Sequence, residues 1–301
     1  MIKTFQYFIV FFSIYCICSC KKTELITQNI TRDTVITGNT PSDYDGTPTV
    51  FVENYVNKLY IDLIGEEPLD SILTQNVDYL RTNELSSKAK DSVINKIIYS
   101  IPYYNRLYDL EKSEMLEGID SVSIATQIYI YNLQMQMFED SGETQLAQYI
   151  QSEIYKLEDL QEAGRDFHNS SINLNTFYQR LINNSVYDEI NMGSENFVKS
   201  CFENLLHRFP TTAELNAGIE MLDGNPSALF LEEGNSKGDF INIITSTSPF
   251  YEGLVIDAYQ RFLLREPTSS EAFSETDSLE SSEDLQFLHK IILKKEEYAG
   301  F

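Results

Sequence analysis

The sequence predicts an all-α fold, a compact bundle of helix-proline-turn-helix pseudo-repeats carrying an inserted helical hairpin. Three observations predict it. One apolar spacing that stops at a proline occurs three times: NKLYIDLIGEEP at 57–68, SCFENLLHRFP at 200–210 and DAYQRFLLREP at 257–267. A tyrosine followed three places later by an apolar residue closes four further helical runs, and two long apolar stripes lie between the first and second units.

Alignment on Pro68, Pro210 and Pro267 puts apolar residues in shared columns: Tyr55, Phe197 and Leu254; Val56, Val198 and Val255; Leu59, Cys201 and Ala258; Tyr60, Phe202 and Tyr259; Leu63, Leu205 and Phe262; Ile64, Leu206 and Leu263. These columns advance by three or four after each adjacent pair, as on a helix buried along one face. The proline stops the helix, and Thr211 with Glu214, like Thr268 with Glu271, has the spacing of a new helix start. Arg208 and Arg265 share a column just before the proline and are expected to bond carbonyls or a carboxylate at the corner.

The closing element runs from Ile97 and Ile98 to Tyr104 and Leu107, and from Leu181 and Ile182 to Tyr187 and Ile190. It recurs from Ile244 and Thr245 to Tyr251 and Leu254, and from Ile291 and Ile292 to Tyr298 and Phe301, which predicts that Phe301 packs into the core. Recurrence of this kind marks a helical repeat, and the unequal spacing of the copies favours a compact bundle over a regular solenoid.

The insertion follows Asp120, a plausible cap. Ile124, Ile128, Tyr131, Met135 and Phe138 make one stripe, Gly142 breaks the run, and Leu146, Ile150, Ile154, Leu157 and Leu160 make the next. The result is a hairpin over residues 121–164, too long for a plain connection. Tyr129, Met135 and Met137 are expected to be core, with a partner-binding face as the competing role, since Met adapts well at such surfaces.

Upstream of the repeats, Lys3, an apolar run over 5–17 and small residues before Cys20 predict a signal segment over 1–19. The run falls short of the roughly 20 apolar residues that cross a bilayer. Residues 17–20, ICSC, resemble the lipobox of bacterial lipoproteins, which implies lipidation at Cys20; an ordinary secretory signal cut nearby is the alternative. Residues 20–49, rich in Thr, Asn, Asp, Gly and Pro, read as a flexible tether. A helical unit over 50–190 then contains the hairpin, and helical repeats fill 191–301.

With Cys20 lipidated and Cys16 and Cys18 removed, Cys201 is left alone and no internal disulfide is expected. Asp and Glu number 46 against 22 Lys and Arg, and a net charge of -24 repels nucleic acid and anionic headgroups. Asp43, Asp45 and Gly46 lack the third acidic ligand and closing Glu of a calcium loop. His207 shares its column with Gly65 and Leu264, so that column demands no imidazole, and a helix-end role follows. Cys201 reads as a small core residue, and His168 and His289 have no metal-spaced neighbours. The acidic pairs Glu66 and Glu67, Glu232 and Glu233, and Glu296 and Glu297 read as solvated charges diverging on helices. No catalytic, cofactor-binding or metal residue is assigned, and no cofactor is expected.

The first unit, NKLYIDLIGEEPLDSI with VDYLR and VINKIIYSIPYYNRL, resembles an uncharacterised helical domain of large exported proteins of planctomycetes and related bacteria, often found beside c-type cytochrome modules. The segments LLHRFPTTAEL and AYQRFLLREPTSSEA are similar to its companion domain. The resemblance covers most of 50–110 and 195–301 and departs at Gly65 and Glu66, where the later units have a residue pair ending in Arg. It implies a fold and an envelope setting but no catalytic residue, and without a Cys-x-x-Cys-His run no covalent haem is expected. The sequence therefore predicts a lipid-anchored, non-enzymatic helical module of the cell envelope, a subunit or scaffold of a protein complex. Its setting is the outer membrane, with the periplasmic face favoured by Lys21 and Lys22. A carbohydrate-binding surface lipoprotein is the alternative, opposed by the lack of Trp and kept open by 19 Tyr; a hydrolytic or redox enzyme lacks any constellation of residues.

Overall fold

Three proline corners set the path of the chain. Helix α1 (Thr49–Ile64) turns at Pro68 into α2 (Asp70–Thr82), α9 (Ser194–Leu206) turns at Pro210 into α10 (Thr212–Leu222), and α12 (Ser248–Leu263) turns at Pro267 into α13 (Ser269–Ser282). A third helix completes each unit: α3 (Ser87–Ile98), α11 (Lys237–Ser246) and α14 (Leu285–Leu293). These come from a computed structural model that describes residues 46–301. The signal segment, Cys20, the tether up to residue 45, and Asp43 and Asp45 lie outside the described residues.

Three of the closing tyrosines follow these third helices, and the fourth follows α7 (Leu174–Ile182). Tyr104 stands on α4 (Ile101–Met115), Tyr251 on the first turns of α12, Tyr298 on α15 (Glu296–Ala299), and Tyr187 on α8 (Ser185–Ile190) after α7. All four are buried. Asp62, one turn before the first corner, accepts from Tyr298 Oη at 2.8 Å, while Asn204, in the matching column of the second unit, donates to Tyr187 Oη at 3.2 Å. Phe301 packs edge-on against Tyr55 with ring centroids 5.4 Å apart, as its place in the pattern predicts.

Among the described residues there are fifteen helices and one two-stranded antiparallel sheet, so the fold is all-α. Helix α1 packs on α3 and α4, α4 on α7, α7 on α11, α11 on α12, α12 on α14, and α14 back on α3. The apolar columns line the inside of this circuit, where Tyr55, Phe177, Phe202, Phe240, Phe250 and Tyr259 are fully buried. Removing an apolar side chain of that size from water contributes about 2 kcal/mol.

Each corner begins with a residue in the left-handed region: Gly65 at φ 88°, His207 at φ 49° and Leu264 at φ 56°. Only Gly adopts this conformation without steric cost. The two units that lack Gly carry a clamp instead. Arg208 donates to both oxygens of Glu214 (2.9 and 2.6 Å) and Arg265 to both oxygens of Glu271 (2.9 and 3.1 Å). Both arginines also donate to a corner carbonyl, of Phe209 and Glu266, as the shared column predicts. Each Glu in turn accepts from the N–H of Thr211 or Thr268, completing a capping box. The first unit has neither clamp nor box, and there Arg106 comes within 3.2 Å of where a Gly65 side chain would begin.

One element has no counterpart in the sequence reading. Strands β1 (Ser227–Leu229) and β2 (Glu232–Gly234) form a hairpin between α10 and α11, pairing Ser227 with Gly234 and Leu229 with Glu232. Its two turn residues, Phe230 and Leu231, both have positive φ, normally the place of Asn-Gly, so the usual turn signal is absent. Two acidic pairs are corrected by these elements. Glu66 and Glu67 lie in the first corner and Glu232 and Glu233 on β2, so of the three pairs only Glu296 and Glu297 are helical. All six side chains are exposed.

Helix α12 approaches α9 at Gly253, where an added Cβ would meet the Leu205 carbonyl oxygen at 2.0 Å. Gly253→Ala is expected to destabilise by about 3 kcal/mol through overpacking, and Gly142→Ala, strained in φ but facing open space, by only about 1 kcal/mol. At the corners the sign reverses. Leu264 is exposed and strained, so Leu264→Gly is expected to stabilise by about 1 kcal/mol. Chemical denaturation of the three variants checks both statements.

Candidate functional site

Helices α5 (Ser121–Ser141) and α6 (Thr144–His168) form the inserted hairpin. Asp120 caps α5 through the Ser123 N–H (2.6 Å), and Gly142 ends it in the left-handed region. Helix α6 is anchored in the body. Ile154, Leu157, Leu160 and Ala163 are buried against it, and Gly164 allows Tyr108 of α4 to approach to 2.9 Å of its missing Cβ. Helix α5 rests on α6 along its length and buries one residue, Ile124.

The inner stripe of α5, with Ile128, Tyr131, Met135 and Phe138, is half-buried against its neighbour, as the periodicity predicts. Tyr129 and Met137 are not core, which corrects the expectation for them. They belong to a second apolar stripe on the opposite face: Val122, Thr126, Tyr129, Ile130, Leu133 and Met137. Its five large apolar side chains range from 41% exposed (Ile130) to 73% (Val122). Residues 121–138 carry no Asp, Glu, Lys or Arg, in a chain of net charge -24. A helix with apolar stripes on two opposite faces ordinarily packs on both. A contiguous exposed apolar face of this kind is the mark of a contact surface.

The candidate reactive residues are placed elsewhere. Cys201 is fully buried, its thiol 3.7 Å from Tyr187 Oη, and burial pushes it up to about 12, so it is a protonated core residue. His207 is the second corner's cap, as its helix-end role predicts. His168 is half-buried, bonded to Asn169 (3.2 Å) and edge-on to Tyr104. His289 is enclosed between Phe262 and Tyr103, whose hydroxyl is 2.9 Å from Nδ1. Burial first, and then the Arg261 charge, bring it down to about 3, so it is neutral near pH 7. Among the described residues no three His, Cys, Asp or Glu side chains converge as a metal-ligand set.

One polar cluster was not visible in the sequence. Arg261 of α12 donates to Glu111 of α4 at 2.9 Å and pairs with Asp257 at 3.0 Å. Burial pushes Glu111 up to about 7 against the pull of the guanidinium. The partners are 150 positions apart, and no spacing announces such a pair. Neither Arg261 nor Glu111 lines any of three surface cavities: one of about 460 Å³ beside Phe273 and Glu280, one of about 560 Å³ beside the β-hairpin, and one of about 600 Å³ beside Tyr99, His168 and Asp284.

No protein-family model, curated protein or solved structure matches the chain. The comparisons therefore supply neither a family nor a residue role.

The corner clamp makes a pH prediction. Glu214 is lowered to about 2 from 4.5, first by the hydrogen bonds from Arg208, against its partial burial, and then by the Thr211 N–H. Because its folded value is depressed, its contribution is complete above pH 4.5 and is lost as the pH falls toward 2. Glu214→Gln is expected to flatten that limb of the stability curve, followed by circular dichroism from pH 5 to 2.

Proposed function

We propose that this chain is a non-enzymatic helical module of the cell envelope, anchored by lipid at Cys20, that serves as a subunit or scaffold of a protein complex. Its contact surface is the outer stripe of α5. The observation that carries this reading is the charge-free, exposed apolar face on a helix that packs chiefly on α6 by its other side. Cys201, His207 and His289 have structural positions, as core residue, helix cap and buried polar pair. The setting is the outer membrane, its periplasmic face favoured by Lys21 and Lys22 after the anchor cysteine.

A second reading, carbohydrate binding, is favoured by one feature. The groove of about 600 Å³ lined by Tyr99, His168, Asn173 and Asp284 has an exposed tyrosine beside polar side chains. A ring with a wet edge can stack on a sugar.

Purification of the tagged chain from detergent-solubilised membranes separates the two. The module predicts a stoichiometric protein retained by wild type and lost in Leu133→Asp, with an unchanged melting curve because Leu133 is exposed. Glycan-array binding that Tyr99→Ala abolishes, with no retained protein, would establish the second reading instead.

A further inference from the structure

We propose that the outer stripe of α5 pairs antiparallel with the same stripe of a second copy of this chain, about a two-fold axis between Tyr129 and Ile130. The inference rests on the contact surface proposed above and names its occupant.

Charge is the first argument. Two copies at -24 each repel, and most opposed faces would set acid against acid. The outer face over residues 121–138 is a surface on which copies can meet without that cost. Register is the second. A two-fold interface requires that if residue i touches j, j also touches i. The stripe residues are mirror-symmetric about the midpoint of 129 and 130, because 122 and 137, 126 and 133, and 129 and 130 each sum to the same value. Antiparallel pairing thus sets Val122 against the partner's Met137, Thr126 against the partner's Leu133, and Tyr129 against the partner's Ile130. The contact runs about 22 Å at 1.5 Å per residue.

The ends of the stripe complete the case. Asp120 precedes it and Glu139 and Asp140 follow it, so charge returns at the rim, where water reaches it. Such acidic flanks also argue against a bilayer as occupant, since helices lying on membranes carry Lys and Arg beside the apolar face. Two chains of net charge -24 still repel through the surfaces around the stripe. Added salt screens that repulsion, so association is expected to strengthen with ionic strength.

Cysteine cross-linking of the full chain in cell envelopes tests this. Tyr129→Cys and Ile130→Cys each stand beside the axis and are expected to yield, on mild oxidation, a species of twice the mass. Co-expressed tagged and untagged copies identify both halves as this chain. Asn132→Cys, exposed on the flank of α5, and the unsubstituted chain, whose Cys201 is buried, are expected to give none. Adding Leu133→Asp to Ile130→Cys is expected to lower the cross-linked fraction at least about tenfold, the effect of about 1.4 kcal/mol. Monomer alone at both axis positions overturns the proposal. Attachment to a different protein also overturns it, while leaving the scaffold reading standing; absence of any adduct together with no retained protein removes both.

Discussion

The bundle depends on turning sharply after each long helix without leaving its last carbonyls unpartnered. A left-handed cap, two further residues and a proline accomplish this three times. The first corner uses Gly65; the second and third accept strain at His207 and Leu264 and offset it with an arginine held on a capping-box glutamate. That arginine also lies over the aromatic ring of the preceding helix, Arg208 over Phe202 at 5.1 Å and Arg265 over Tyr259 at 5.0 Å. The corner is thereby tied to the apolar column that it ends. The next long helix is placed by the same region, since Gly253 seats α12 directly on the Leu205 carbonyl just before the second corner.

This explains which features could be read in advance. The clamp was legible because Arg, Pro, Thr and Glu keep a fixed local spacing, and local spacing survives folding. The columns were legible because burial on one helix face imposes a period. The column of Gly65, His207 and Leu264 looked tolerant of any residue, yet its members share one demanding backbone conformation; Gly65 was the available signal. The pair of Glu111 and Arg261 could not be read, because its partners are joined only by packing. The β-hairpin could not be read because Phe230 and Leu231 take positive φ without the residues that usually announce it.

The hairpin shows a different limit. Apolar residues at helical spacing predict burial, and on the inner stripe of α5 the prediction holds in part, its residues being half-buried. The outer stripe has the same spacing, but a helix that packs chiefly on α6 cannot cover both faces against it. Periodicity gives the direction in which a stripe points and not what stands opposite it. For Tyr129 and Met137 the spacing thus predicts a core that the fold does not supply.

The position of that stripe also bears on how force could pass through the module. Helix α5 contributes only Ile124 to the core, whereas α6 buries residues from Ala147 to Phe167 and is locked to α4 by the close approach at Gly164. Helix α4 in turn is held to α12 by Glu111 and Arg261. A buried pair of this type adds little net stability, but losing one partner strands the other and costs about 3 to 5 kcal/mol, so it resists sliding of α4 against α12. The route from the exposed stripe to the proline corners thus runs through packed helices, α5 on α6, α6 on α4 and α4 joined to α12 by an ion pair. A surface meant only to keep the chain soluble would need no such support, and it would carry charge.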